Sequence, residues 1–129
     1  MLINLFIPAP IKLIDLPARD ARHILAARSW CVLRKAGFDP IPRLEGYLLS
    51  DKVAARFDLL MDTVAQIWPE PLGIYRPCCG LASVDERVLT DAIRLAAADA
   101  GPQFEMLLRE MLPEDARRIF FSLAQSLYE

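Results

Sequence analysis

Apolar residues recur through most of the chain at three- and four-residue spacing, the period of a helix with one buried face. Ile24, Leu25, Ala27, Cys31 and Val32 form a first stripe. It predicts a helix capped by Asp15, with Pro17 in its opening turn, running to about Ala36 and stopped by Gly37. Phe38 to Gly46 contains Asp39-Pro40 and Ile41-Pro42 and reads as a loop with two fixed φ angles. Ser50 caps a second helix to about Trp68, with Val53, Phe57, Leu60, Met61, Val64 and Trp68 on one face. Pro69 and Pro71 end it, and a loop to Ala82 comes next. Ser83-Val84-Asp85-Glu86 is a capping box: the serine hydroxyl accepts from the third amide and the glutamate reaches back. It opens a helix to about Ala100, lined by Val88, Leu89, Ala92, Ile93, Ala96 and Ala100, which Gly101-Pro102 stops. A short helix with Phe104, Leu107, Leu108 and Met111 is next. Pro113 starts the last, striped by Ala116, Ile119, Phe120, Leu123 and Leu127. No segment alternates with period two, so no sheet is expected.

The resulting fold class is all-α: about five helices in a compact orthogonal or bundle arrangement. The start of the chain differs. Leu2–Leu16 holds Pro8 and Pro10, with Pro17 just after, and reads as an extended arm whose large apolar residues include Leu2, Ile3, Leu5, Phe6, Ile7, Ile11, Leu13 and Ile14. The expected organisation is an apolar arm over 1–16 and a single helical domain over 17–129. A chain of 129 residues suits one core and can hide about two-thirds of its surface without a disulfide or metal.

Charge narrows the function. The net charge is −2, +3 over residues 1–60 and −5 over 61–129. That removes the basic surface on which nucleic-acid binding depends, so no nucleic-acid partner is expected. Met1–Ile7 is apolar but short, lacks a preceding basic residue and stops at Pro8, unlike a signal peptide. No apolar run reaches membrane-spanning length. Three cysteines, Cys31, Cys78 and Cys79, make a poor disulfide framework and fit a reduced, cytoplasmic setting.

The unusual local feature is Pro77-Cys78-Cys79-Gly80. A thiol pair ahead of a helix amino end has the access that redox or metal chemistry needs. Adjacent cysteines nonetheless reach one tetrahedral metal poorly, and the alternative is two small buried side chains tucking the loop onto the core. A wider metal site would add His23 and Cys31, eight residues apart on one helix and therefore about 80° apart in direction. Asp85 and Glu86 are explained by capping, and Arg87, Asp91 and Arg94 by an exposed ion ladder. No nucleotide-binding, zinc-protease, CxxC or nucleophile-elbow motif occurs, so no catalytic residue is assigned.

The segment Pro77–Leu112, a Cys-Cys pair, a capped acidic turn and an Ala/Leu-rich helix, is preceded by an Arg-bearing helix. Together these resemble an uncharacterised family of small all-helical bacterial proteins, a domain of unknown function, over about residues 18–128. The resemblance implies a bacterial, cytoplasmic, all-α protein and supplies no ligand or catalytic residue.

Hydrophobic residues make up 54% of the chain, more than a domain this small needs to hide. The surplus points to a non-enzymatic interaction module that forms a homodimer and offers an apolar surface to a partner helix or peptide, with no cofactor. Two alternatives stand beside it. One is a thiol-redox or metal-binding protein built on Cys78 and Cys79; the other is a small-ligand binder with an inter-helix cavity.

Overall fold

A computed structural model describes residues 10–129. Most of the expected apolar arm, residues 1–9, lies outside the described residues. Six helices, rather than five, occupy the described residues: α1 (Ala18–Lys35), α2 (Ile41–Leu48), α3 (Asp51–Ile67), α4 (Val84–Ala97), α5 (Gly101–Leu108) and α6 (Glu114–Gln125).

The sixth is α2, in the segment read as a loop. Pro40 takes the N-cap position and Pro42 lies in the first turn. There a missing N–H costs nothing, because the first four amides of a helix have no partner anyway. Prolines that read as breakers therefore act as a start signal. Its end is unusual: Leu49 adopts a left-handed φ of 62° and donates its N–H to the Glu45 carbonyl.

Asp15 does not cap α1. It ends a single 3-10 turn, Leu13–Asp15, and Leu16 and Pro17 are extended, so Pro17 is the N-cap and no side chain caps the first amides. The far end closes at Gly37, φ 83°, with Gly37 N–H donating to the Arg34 carbonyl and Phe38 N–H to the Leu33 carbonyl. The same paired motif at Asp99, φ 55°, closes α4 just short of the expected Ala100. Gly101-Pro102 instead opens α5. The two predicted serine caps are present: Ser50 accepts from Val53 N–H, and the Ser83–Glu86 capping box is complete.

One ribbon of two short strands corrects the expectation of no sheet. β1 (Ile11–Lys12) pairs antiparallel with β2 (Leu81–Ala82), Ile11 opposite Ala82 and Lys12 opposite Leu81. It is too short for period-two alternation to register in the sequence. It ties residues 11–16 to the loop that carries the cysteines, since Leu13 N–H also donates to the Gly80 carbonyl.

Helix α2 packs on α1 and α3, α4 packs on α5 and α6, and the two groups join through α3 against α6 and α1 against α4. The whole predicted stripe of α3 is buried. It meets Leu89, Ala92, Ile93 and Ala96 of α4 and Phe120 and Ala124 of α6 in one core. Phe104 stands edge-on to Phe120 (ring centroids 5.5 Å) and to Phe121 (5.0 Å), fastening α5 to α6. Two buried stripes are narrower than the spacing predicts: Val32 on α1 and Ile119 on α6 are half-exposed. No helix among the described residues is long and apolar enough to cross a membrane.

Candidate functional site: a cavity between helices α1 and α4

Arg19, Asp20 and His23 come from the uncapped first turns of α1, where unpaired amides and the helix dipole favour an anion. Ile93, Arg94 and Ala97 come from the last turns of α4 and Ala98 from its C-cap. Pro17 and Tyr128 complete the wall of a cavity of about 380 Å³, which falls in the range of about 300–1,000 Å³ typical of ligand sites. Tyr128 arrives on a 3-10 turn, Ser126–Tyr128, pinned by the buried side chain of Leu127 and by the Arg56 guanidinium, which donates to the Ser126 carbonyl (3.0 Å) and to the Glu129 carbonyl.

His23 is 2% exposed. Its Nε2 lies 2.6 Å from the Tyr128 hydroxyl, and its ring stacks on Phe57 with centroids 6.0 Å apart. Nδ1 is buried with no hydrogen-bond partner among the described residues. The missing partner is a donor in one tautomer and an acceptor in the other. Burial pushes the imidazole pKa down to about 4, and Arg19 and Arg22 act in the same direction, so the ring is neutral at pH 7.

Arg94 bridges two helices. It donates to Asp20 Oδ2 of α1 at 3.1 Å and to Asp91 of its own helix at 2.7 Å. The expected exposed ladder is thus also a link across the cavity. Burial raises the Asp20 carboxyl above the usual range, although Arg94 opposes it. The Arg19 guanidinium lies 4.7 Å from the centre of the Tyr128 ring, a cation–π contact that leaves its N–H donors without a hydrogen-bond acceptor among the described residues. The cavity therefore offers cationic donors, one buried carboxylate, a neutral imidazole, a phenol and the apolar side chains of Ile93, Ala97 and Ala98.

Glu86 does more than close the capping box. Its carboxylate and the Arg28 guanidinium are buried together and joined by two bonds, Nε to Oε2 at 2.8 Å and Nη2 to Oε1 at 2.9 Å. The remaining Arg28 donors hold the cysteine loop by its backbone, at the Cys79 carbonyl (2.6 Å) and the Leu81 carbonyl (2.7 Å). The loop is fastened by its peptide groups rather than its thiols: Cys78 is exposed and Cys79 half-buried, so the pair is not two buried side chains tucked into the core. Cys31 is half-buried on α1, and burial, with some help from Glu86, pushes its thiol up to about 11. Among the described residues no three His, Cys, Asp or Glu side chains group to hold a metal, and His23, bound to Tyr128, is not drawn toward Cys31, Cys78 or Cys79 in such a cluster.

Comparison with known proteins adds nothing to this geometry. No family model, curated protein or solved structure matches the chain.

Of the polar cavity residues, the sequence singles out His23 and Arg94, for other reasons, while Pro17 and Ile93 enter it only as a helix start and a core position. Tyr128 lies 105 residues from His23 and Arg94 lies 74 from Asp20, and no local spacing signals such pairs. One sign was available for α1: it buries Asp20, His23 and Arg28 in addition to its apolar stripe, and polar residues at three- to five-residue steps along a packed face invite the question of what they meet.

Proposed function

We propose that the protein is a non-enzymatic ligand-binding module, and that the cavity between α1, α4 and the C-terminal turn takes a small organic anion with a short apolar body. The observation that carries this reading is a cavity that sets the uncommitted Arg19 guanidinium and the free first amides of α1 beside a buried, neutral His23 whose Nδ1 has no partner among the described residues. Folded proteins leave few buried polar atoms unpaired, since each costs about 1–3 kcal/mol, and such groups concentrate where a ligand or water completes them. The Arg19 guanidinium and the free amides of α1 supply anion recognition; Ile93, Ala97 and Ala98 supply contact for hydrocarbon.

The test is thermal unfolding against a panel of short carboxylates, amino acids and inorganic phosphate. A ligand present at 100 times its Kd stabilises by about 2.7 kcal/mol, a rise in Tm of several degrees. The expected result is such a rise for at least one organic anion, absent in Arg19→Ala. A panel without any stabilising compound would overturn the reading.

Self-association remains a second proposal, favoured by the exposure of Ile14 (87%), Leu49 (78%), Met106 (71%) and Phe38 (65%). These lie on separate elements. Light scattering on a sizing column decides it: a dimer supports it, and a concentration-independent monomer removes it.

A further inference from the structure

Asp20 is the one residue of the cavity that an anion alone does not explain. It is 6% exposed, yet only Oδ2 is engaged, by Arg94 at 3.1 Å; Oδ1 takes no hydrogen bond among the described residues. Arg94 is itself shared with Asp91 at 2.7 Å, so its charge is balanced from two sides. Oδ1 keeps some accessible surface on a side chain that lines the cavity, so a ligand there can reach it; a carboxylate oxygen in that position repels an anion and favours a ligand that also brings a cation. Arg19, the neighbouring residue on the same turn, shows the opposite pattern: a full positive charge with donors not committed to any acceptor among the described residues. The two charges are about 100° apart around α1, and both line the same cavity. Below them the wall is apolar and shaped by small side chains, Ala97 and Ala98 beside Ile93. A cavity of about 380 Å³ lies at the small end of ligand sites and suits a molecule of few heavy atoms.

We infer that the ligand is a zwitterion, a free α-amino acid with a short hydrocarbon side chain, whose carboxylate meets Arg19 and the amino end of α1 and whose ammonium meets Asp20. This rests on the proposed ligand-binding function and specifies its substrate class. The neutral His23–Tyr128 pair supplies hydrogen bonds without adding charge, so the cavity's charges match those of a zwitterion. Arg22 and Asp91 are the further charges near this wall, the first acting on His23 and Tyr128 and the second on Asp20.

Calorimetric titration of the full chain with three molecules sharing one skeleton separates the parts: L-leucine, 4-methylpentanoate, which lacks the amine, and 3-methylbutylamine, which lacks the carboxylate. L-Valine and its deaminated counterpart repeat the comparison at smaller size. The expected result is an amino acid bound at least tenfold more tightly than either fragment. Asp20→Asn, which keeps shape and a hydrogen bond to Arg94, is expected to lose at least tenfold for the amino acid and nothing for the carboxylate. Equal binding of amino acid and carboxylate would overturn this inference and leave the anion-binding function standing. Tight binding of the amine alone, or no binding by any of these, would overturn the inference; failure of the wider anion panel as well would remove the function with it. Should Asp20→Asn fail to fold, the comparison on the unaltered protein decides alone.

Discussion

A single histidine in an interior makes acid stability a residue-scale question. The folded pKa of His23 is about 4 against an ordinary 6.5, so between those values the unfolded chain holds a proton that the native protein does not. The stability this neutral ring allows is complete above pH 6.5 and is lost as pH falls toward 4, by up to about 3 kcal/mol. Asp20, with its carboxyl raised, has the opposite sign: it is relieved by acid. Denaturant titrations from pH 7 to pH 4 should show falling stability in the unaltered protein and a shallower fall in His23→Gln; equal slopes would contradict the buried-neutral assignment. Leu49 offers a prediction in the other direction. A branched residue held at φ 62° and mostly exposed strains the backbone without packing in return. Leu49→Gly should stabilise by about 0.5–1 kcal/mol, seen as a Tm rise of a few degrees, and a fall in Tm would show that its side chain has a contact that matters.

At the scale of elements, what the sequence revealed were the features written in adjacent residues. The Ser83–Glu86 capping box and the α3 stripe appear as read, because capping and helical periodicity are local chemistry. The loop reading of Phe38–Gly46 failed because Pro40 and Pro42 are ambiguous: the same fixed φ breaks a helix interior and starts a helix. The α4 boundary failed because an aspartate, rather than the nearby glycine, adopts the left-handed closing position. The Arg28–Glu86 pair was hidden for another reason. Fifty-eight residues separate its members, and capping gave Glu86 a sufficient role already. That pair joins α1 to the start of α4 and to the cysteine loop. Arg28→Ala leaves a buried carboxylate alone and frees two loop carbonyls, and should cost about 3–5 kcal/mol in chemical denaturation. Replacing Arg28 and Glu86 together with apolar residues should recover part of that loss. Titration with a chromogenic disulfide reagent reads the loop itself. In the native protein Cys78 should react first and Cys31 last, and Arg28→Ala should accelerate Cys79. A slow Cys78 would contradict its exposure.

For the whole molecule, the class of fold was legible because one period dominates the chain, while the site was not, because it exists only where distant segments converge. Its wall draws on the first turns of α1, the last turns of α4 and a turn beyond α6, which meet only once the core between them closes. Phe120 sits at the centre of that closure, buried between Trp68 and Phe104. Phe120→Ala should cost about 3–5 kcal/mol and, by loosening α6 and the turn that follows it, weaken ligand binding as well. The apolar surplus that points to a self-associating protein is partly absorbed by this core, and among the described residues the exposed large apolar side chains belong to several elements.

The central claim, that the α1–α4 cavity is a ligand site with a neutral imidazole in its wall, has a direct spectroscopic reporter because His23 is the only histidine in the chain. Ring nitrogen chemical shifts of nitrogen-15-labelled protein give its tautomer, its protonation and whether Nδ1 gains a partner. The expected result is a ring that stays neutral from pH 7 to below pH 5, with the Nδ1 resonance moving when a bound amino acid or carboxylate is titrated in. A ring that titrates near pH 6.5, or an Nδ1 resonance indifferent to every ligand that binds, would contradict it.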